Sequence, residues 1–225
     1  MFEHRAPYTG TFTETGRLVG GTLEYPVLSG VLIWLVALPS STDLDFLRIS
    51  AVTLGICGLV TAFVLARLTG WRSLWWSLAP ALVLYTMLNW DLYAVVATVG
   101  AIAMVLSSAR GHRTSRLMIA AVLFAVGGAL KLYPLMFVVP VVLWLGLGQE
   151  RDAAEDESSP EPGVPAVSRW GHAVAFAAVA AGFFVALNLP FAIAHFEGWW
   201  AAFQFQWHRP IDNATNSIWY WGLRP

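Results

Sequence analysis

Four short stretches of this sequence carry groups that can move a proton or hold an anion. They are Glu24-Tyr25, Asn89-Trp90-Asp91, Lys131 with Tyr133, and a segment from Trp207 to Trp219 that contains His208, Arg209, Asn216 and Ser217. A carboxylate such as Asp91 or Glu24 can accept a proton from a hydroxyl. Lys131 offers a phosphate a point charge, Arg209 a bidentate fork, and His208 a third nitrogen donor. Tyr25, Trp90, Tyr133 and Trp219 present flat faces with a polar edge, a type of side chain that suits a membrane surface. Asn89, Asn216 and Ser217 add neutral donors and acceptors. Gathered on one face, this set could handle an anionic lipid headgroup bearing a polar group.

Each stretch also has a plainer reading. Asn89-Trp90-Asp91 can be a simple turn with Trp90 in the interfacial aromatic belt, and Glu24-Tyr25-Pro26 a helix start. Lys131 can snorkel to headgroups, and His208-Arg209 can be a solvated loop. Asn213-Ala214-Thr215 fits the glycosylation pattern, but three-residue matches arise by chance. No His/Cys cluster has metal-ligand spacing. No glycine loop suits a phosphate, and no Ser-His-Asp arrangement is visible.

The elements that must position these groups are apolar. Of 225 residues, 57% are hydrophobic and only 12% charged, against about 25% charged in soluble domains. The expected class is all-α, a polytopic helical membrane protein. A net charge of −1 gives no reason to expect a nucleic-acid partner, and the single Cys57 rules out a disulfide framework. The apolar runs predict six spanning helices, at 46–68, 73–88, 92–109, 117–130, 134–147 and 170–194. The run 26–38 is too short to span and reads as a re-entrant or in-plane helix within an outer loop, 1–45. Asn89-Trp90-Asp91 must mark a turn, since one helix over both flanking runs would be about 55 Å long against a hydrocarbon core of about 30 Å. Lys131 marks another, where Gly127-Gly128 and Pro134 interrupt the apolar stretch. Segment 149–168 is acidic and proline-rich and is expected to be disordered. Segment 196–225 reads as a second outer loop.

Arg67 and Arg72 lie in one short loop, and Arg110, Arg113 and Arg116 in another. The positive-inside rule puts both in the cytoplasm of a plasma-membrane protein. Segment 149–168 is then cytoplasmic, and all four polar stretches face outward.

Five stretches, in this order between apolar helices, resemble a known family. They are Leu23-Glu24-Tyr25-Pro26-Val27-Leu28, Asn89-Trp90-Asp91, Lys131-Leu132-Tyr133-Pro134, Asn188-Leu189-Pro190 and Asn216-Ser217-Ile218-Trp219. The chain is similar to glycosyltransferase family 87. These are C-type integral-membrane enzymes that include polyprenyl-phosphate-mannose-dependent α-1,2-mannosyltransferases. The resemblance implies inverting transfer of mannose from a polyprenyl phosphate to a lipid or glycan acceptor on the outer face, without a cofactor. It implies that Lys131, Arg209 and His208 steady the donor phosphate. Glu24, Tyr25, Asn89, Trp90, Tyr133, Asn216, Ser217 and Trp219 would then contact sugar or acceptor.

In that family the catalytic Asp precedes the Tyr-Pro stretch, and further helices follow. Here no Asp occurs before Asp43. The resemblance therefore places the family's base ahead of Met1. The expectation is a piece of a longer enzyme, inactive alone, with Asp91 the carboxylate in this chain that could stand in as base. The competing expectation is a non-catalytic membrane protein, a small transporter or assembly scaffold. A transporter should show internal repeats, and none is evident.

Overall fold

A computed structural model describes residues 6–80, 82, 86, 89–108, 113–147 and 166–208. Segments 1–5, 109–112, 148–165 and 209–225 and most of 81–88 lie outside the described residues, as do the expectations placed on them.

The chain first forms a small hairpin, β1 (Thr11–Phe12) and β2 (Leu18–Val19), with Thr11 opposite Val19. Gly16, at φ 80°, takes the left-handed conformation its turn needs. Helix α1 (Val27–Ala37) follows Pro26. Its length of about 17 Å cannot cross a bilayer, and the short helix expected at 26–38 is found.

Helix α2 (Asp43–Thr69) begins with a reciprocal cap. The Asp45 amide donates to the Thr42 hydroxyl at 3.1 Å, and the Thr42 amide donates to the Asp45 carboxylate at 3.1 Å. Gly70, at φ 58°, ends it. A 3₁₀ turn (Gly70–Ser73) and the short helix α3 (Leu74–Ser77) follow. Val52, Ile56, Leu59 and Phe63 form an exposed stripe at helical spacing along α2. Such an apolar face suits lipid rather than water.

Helices α4 (Asp91–Ser108) and α5 (Arg113–Leu130) pack antiparallel. At one end Lys131 pairs with Asp91; at the other Arg116 donates to the Ser107 carbonyl. Helix α6 (Val138–Leu147) follows a 3₁₀ turn at Tyr133–Phe137, and α7 (Ala166–Ala194) completes the bundle. Their common core is made of small residues and a few large ones: Ala101, Ala120, Ala121, Ala173 and Ala180 around Leu117, Phe124, Leu145 and Phe176. Small residues let helices approach closely where apolar burial supplies little driving force.

Two expectations need correction. Four helices, rather than six, are long and apolar enough to cross a membrane among the described residues: Asp43–Ser77, Asp91–Ser108, Arg113–Leu130 and Trp170–Ala194. The expected span 134–147 is a 3₁₀ turn plus a ten-residue helix, about 25 Å in all. The length criterion that excludes 26–38 excludes it too. Of the expected span 73–88, the short α3 is described and most of the rest is not. The second correction concerns 196–225, expected as loop, where Phe196–His208 forms helix α8. His195 caps it, its Nδ1 accepting from the Gly198 amide at 3.0 Å.

Candidate functional site

Lys131 sits where α5 ends. Its amide donates to the Gly127 carbonyl at 2.8 Å, closing the last helical turn. The chain then doubles back so tightly that a Cβ on Gly127 would meet Pro134 at 2.9 Å, and one on Gly128 would meet Leu135 at 2.5 Å. Two glycines are what this reversal requires. From α1, the buried Ser29 hydroxyl donates to the Leu130 carbonyl at 2.7 Å. The lysine's backbone is thereby fixed from two sides.

The ammonium of Lys131 makes an ion pair with Asp91 and a hydrogen bond to Asn89 Oδ1 at 3.3 Å. It also lies 5.6 Å from the centre of the Tyr25 ring, within cation–π range. Asp91 is the first residue of α4 and Lys131 the residue after α5. Each charge therefore complements the helix end beside it. The side chains are 23% and 42% exposed for Lys131 and Asp91. An ion pair so open to solvent contributes about 0–1 kcal/mol.

A cavity of about 460 Å³ opens beside this cluster, lined by Glu24, Tyr25, Asn89, Lys131, Tyr133 and Gln206, with Pro26, Leu132, Ala202 and Phe203 completing its wall. Helix α8 is tied to this wall, since Gln206 Nε2 donates to the Glu24 carbonyl at 2.9 Å. Burial pushes the Tyr133 hydroxyl above the usual tyrosine range, the nearby Asp91 carboxylate adds to the rise, and a hydrogen bond with Thr98 opposes it. Tyr133 therefore stays a neutral donor at physiological pH.

Three of the four sequence stretches meet here: Glu24-Tyr25, Asn89 with Asp91, and Lys131 with Tyr133. Trp90 does not join them. It packs against Phe46 of α2 and stacks on Tyr93, at ring-centre distances of 5.8 and 6.0 Å. His208 is also elsewhere, at the end of α8 with its ring 5.7 Å from Phe12. Arg209, Asn216, Ser217 and Trp219 lie outside the described residues. Among the described residues, Asp91 is the carboxylate paired with the lysine, and Glu24 lies on the cavity wall. No group of His, Cys, Asp or Glu among them could hold a metal ion.

Phe203 and Gln206 are wall residues that sequence reasoning missed. The signal for them was the small-residue spacing Gly198, Ala201, Ala202, which marks a helix face in close contact. A Cβ on Gly198 would fall 2.0 Å from the Tyr8 carbonyl oxygen.

Fold and site together define a mainly helical protein with, among the described residues, four helices long and apolar enough to cross a membrane, and a charged, aromatic-lined cavity at one end of its central helix pair. Compared with known proteins, the chain matches no family model, no curated protein and no solved structure.

Proposed function

We propose that this protein is a membrane glycosyltransferase. It moves mannose from a polyprenyl-phosphate donor to a lipid or glycan acceptor at the outer face of the plasma membrane. One observation carries the reading: Glu24, Tyr25, Asn89, Lys131 and Tyr133, far apart in sequence, line one cavity, and Asp91 pairs with its lysine. The resemblance of those same stretches to family 87 supplies the reaction.

In this reading the acceptor oxygen bonds to the sugar's anomeric carbon as the bond from that carbon to the phosphate oxygen breaks. The electron pair leaves with the polyprenyl phosphate, and the acceptor proton passes to a carboxylate. Lys131 stands where negative charge grows on the leaving phosphate, so it stabilises the transition state more than the bound donor. Tyr25, Tyr133 and Asn89 hold the sugar. Asp91, paired with Lys131 beside the cavity, is the candidate base, which would make this chain active by itself where the resemblance leads one to expect an inactive piece; Arg209 is proposed as a further phosphate partner. Asn216, Ser217 and Trp219 are proposed to contact the acceptor.

The Asp91–Lys131 pair also supports a second reading, a clasp between antiparallel helices in a non-catalytic transport or assembly protein. Deleting the gene and analysing the cell envelope separates the two. The glycosyltransferase reading expects a glycolipid or glycan to lose one hexose, restored by the wild-type gene. An unchanged hexose profile favours the clasp.

A further inference from the structure

Lys131 is already engaged by a carboxylate that any incoming anion must displace. We propose that Asp91 is a charge gate on Lys131: it competes with the phosphate of a lipid headgroup for the ammonium and so sets the cavity's affinity for phosphate-bearing ligands. The proposal deepens the function above and rests on it for the choice of lipid phosphate as ligand.

The two partners are unequal. Lys131 is the more enclosed, held by Asn89 and the Tyr25 ring and facing the cavity. Asp91 is the more exposed and does not line the cavity. At the first position of α4 it also has the helix N-terminus to stabilise its charge. When an anion takes the lysine, the released carboxylate keeps both water and helix end. The enclosed ammonium loses nothing either, because one anion replaces another. Exchange is therefore cheap, and the released Asp91 carboxylate stays tethered beside the lysine, where its charge opposes whatever anion is bound there. Glu24 also lies on the cavity wall and is present in both the wild-type protein and Asp91→Asn.

Electrostatics gives this model a signature. Removing the Asp91 charge lowers the energy of a bound anion in proportion to the anion's own charge. A phosphomonoester with nearly two charges must gain about twice as much, on a logarithmic scale, as a phosphodiester with one. A change in cavity shape would not follow ligand charge in this way.

The test uses the whole protein in nanodiscs of neutral lipid. The probes are a short-chain prenyl phosphate, its methyl diester and inorganic phosphate. Asp91→Asn should tighten the diester about threefold and the monoester about tenfold, the latter about 1.4 kcal/mol. Lys131→Met should abolish both gains, and Lys131→Arg should retain binding, which guards against misfolding. Inorganic phosphate that competes as well as the prenyl ester would overturn the lipid assignment. Equal gains for both esters, or weaker binding in Asp91→Asn, would overturn the gate. Binding is read here without sugar transfer. An unchanged hexose profile on gene deletion with a charge-dependent gain in Asp91→Asn would therefore reject the transferase and keep the gate.

Discussion

Tyr8 shows how one residue holds the cavity's edge. It is buried, with φ at 66°, and its hydroxyl lies 2.7 Å from both the Tyr25 and Pro26 carbonyls. Its ring meets Phe191 of α7 edge-on at 5.5 Å. Gly30 leaves room for it, since a Cβ there would fall 2.2 Å from the hydroxyl. Tyr8 thus ties the N-terminal segment to the residues that present Tyr25 to Lys131. Tyr8→Phe removes the hydroxyl hydrogen bond these carbonyls share, the Pro26 carbonyl keeping the Gly30 amide, and should cost about 1 kcal/mol; Gly30→Ala overpacks the same spot and should cost about 1–3 kcal/mol. Thermal unfolding in detergent checks both. Burial pushes the Tyr8 hydroxyl well above the tyrosine range. The folded state thus holds its proton where the unfolded chain releases it. Tyr8 should therefore stabilise the fold fully below about pH 10 and progressively less above it. Tyr8→Phe should flatten that alkaline loss, and an unaltered slope would contradict this assignment. None of this was legible in the sequence, where Tyr8 lies in a glycine-rich stretch without periodicity. Lys131 was legible because a lysine among apolar residues demands a partner.

At the scale of elements, α8 decides whether the cavity has its wall. One side-chain hydrogen bond ties it to α7 and a cap fixes its first turn. The buried Asn188 accepts from Trp199 Nε1 at 3.0 Å and donates to the Phe184 carbonyl at 2.9 Å. His195 caps the first turn of α8. His195→Ala should cost about 1 kcal/mol, as for loss of a side-chain cap. Asn188→Leu should free the Trp199 indole and loosen α8. Faster amide exchange over Phe196–His208, with α4 and α5 unaffected, is the expected readout; unchanged exchange in both variants would show that α8 is held by packing alone. The sequence exposed Asn188 and Pro190 as irregularities in a helix, and both fall inside α7. It concealed α8, because Trp199, Trp200, Phe203 and Trp207 read equally well as an aromatic belt on a loop. What separates the two readings is tertiary: small residues on one side of α8 packing against Tyr8 and Gly10. For the same reason the length of an apolar run placed α2, α4, α5 and α7 correctly but overcounted spans where Pro134 tightens the chain into a 3₁₀ turn.

For the whole molecule, the antiparallel α4–α5 pair sets two ends. Asp91, Lys131 and the cavity lie at one, and Arg113 and Arg116 at the other. Phe46 against Trp90 brings the start of α2 to the cavity end. The arginine bias predicts that the cavity end faces outward. In a Cys57→Ser background, Thr15→Cys should react with an impermeant thiol reagent in intact cells, and Arg113→Cys only after lysis; the opposite pattern would invert the topology. The proposed function requires that the lysine at this end serve the reaction. The most direct measurement is mannosyl transfer from polyprenyl-phosphate mannose in membranes carrying the wild-type protein or Lys131→Met at matched levels. Loss of one electrostatic stabiliser of the leaving phosphate should lower kcat/KM on the order of 100-fold. Transfer at nearly the wild-type rate in Lys131→Met would contradict it.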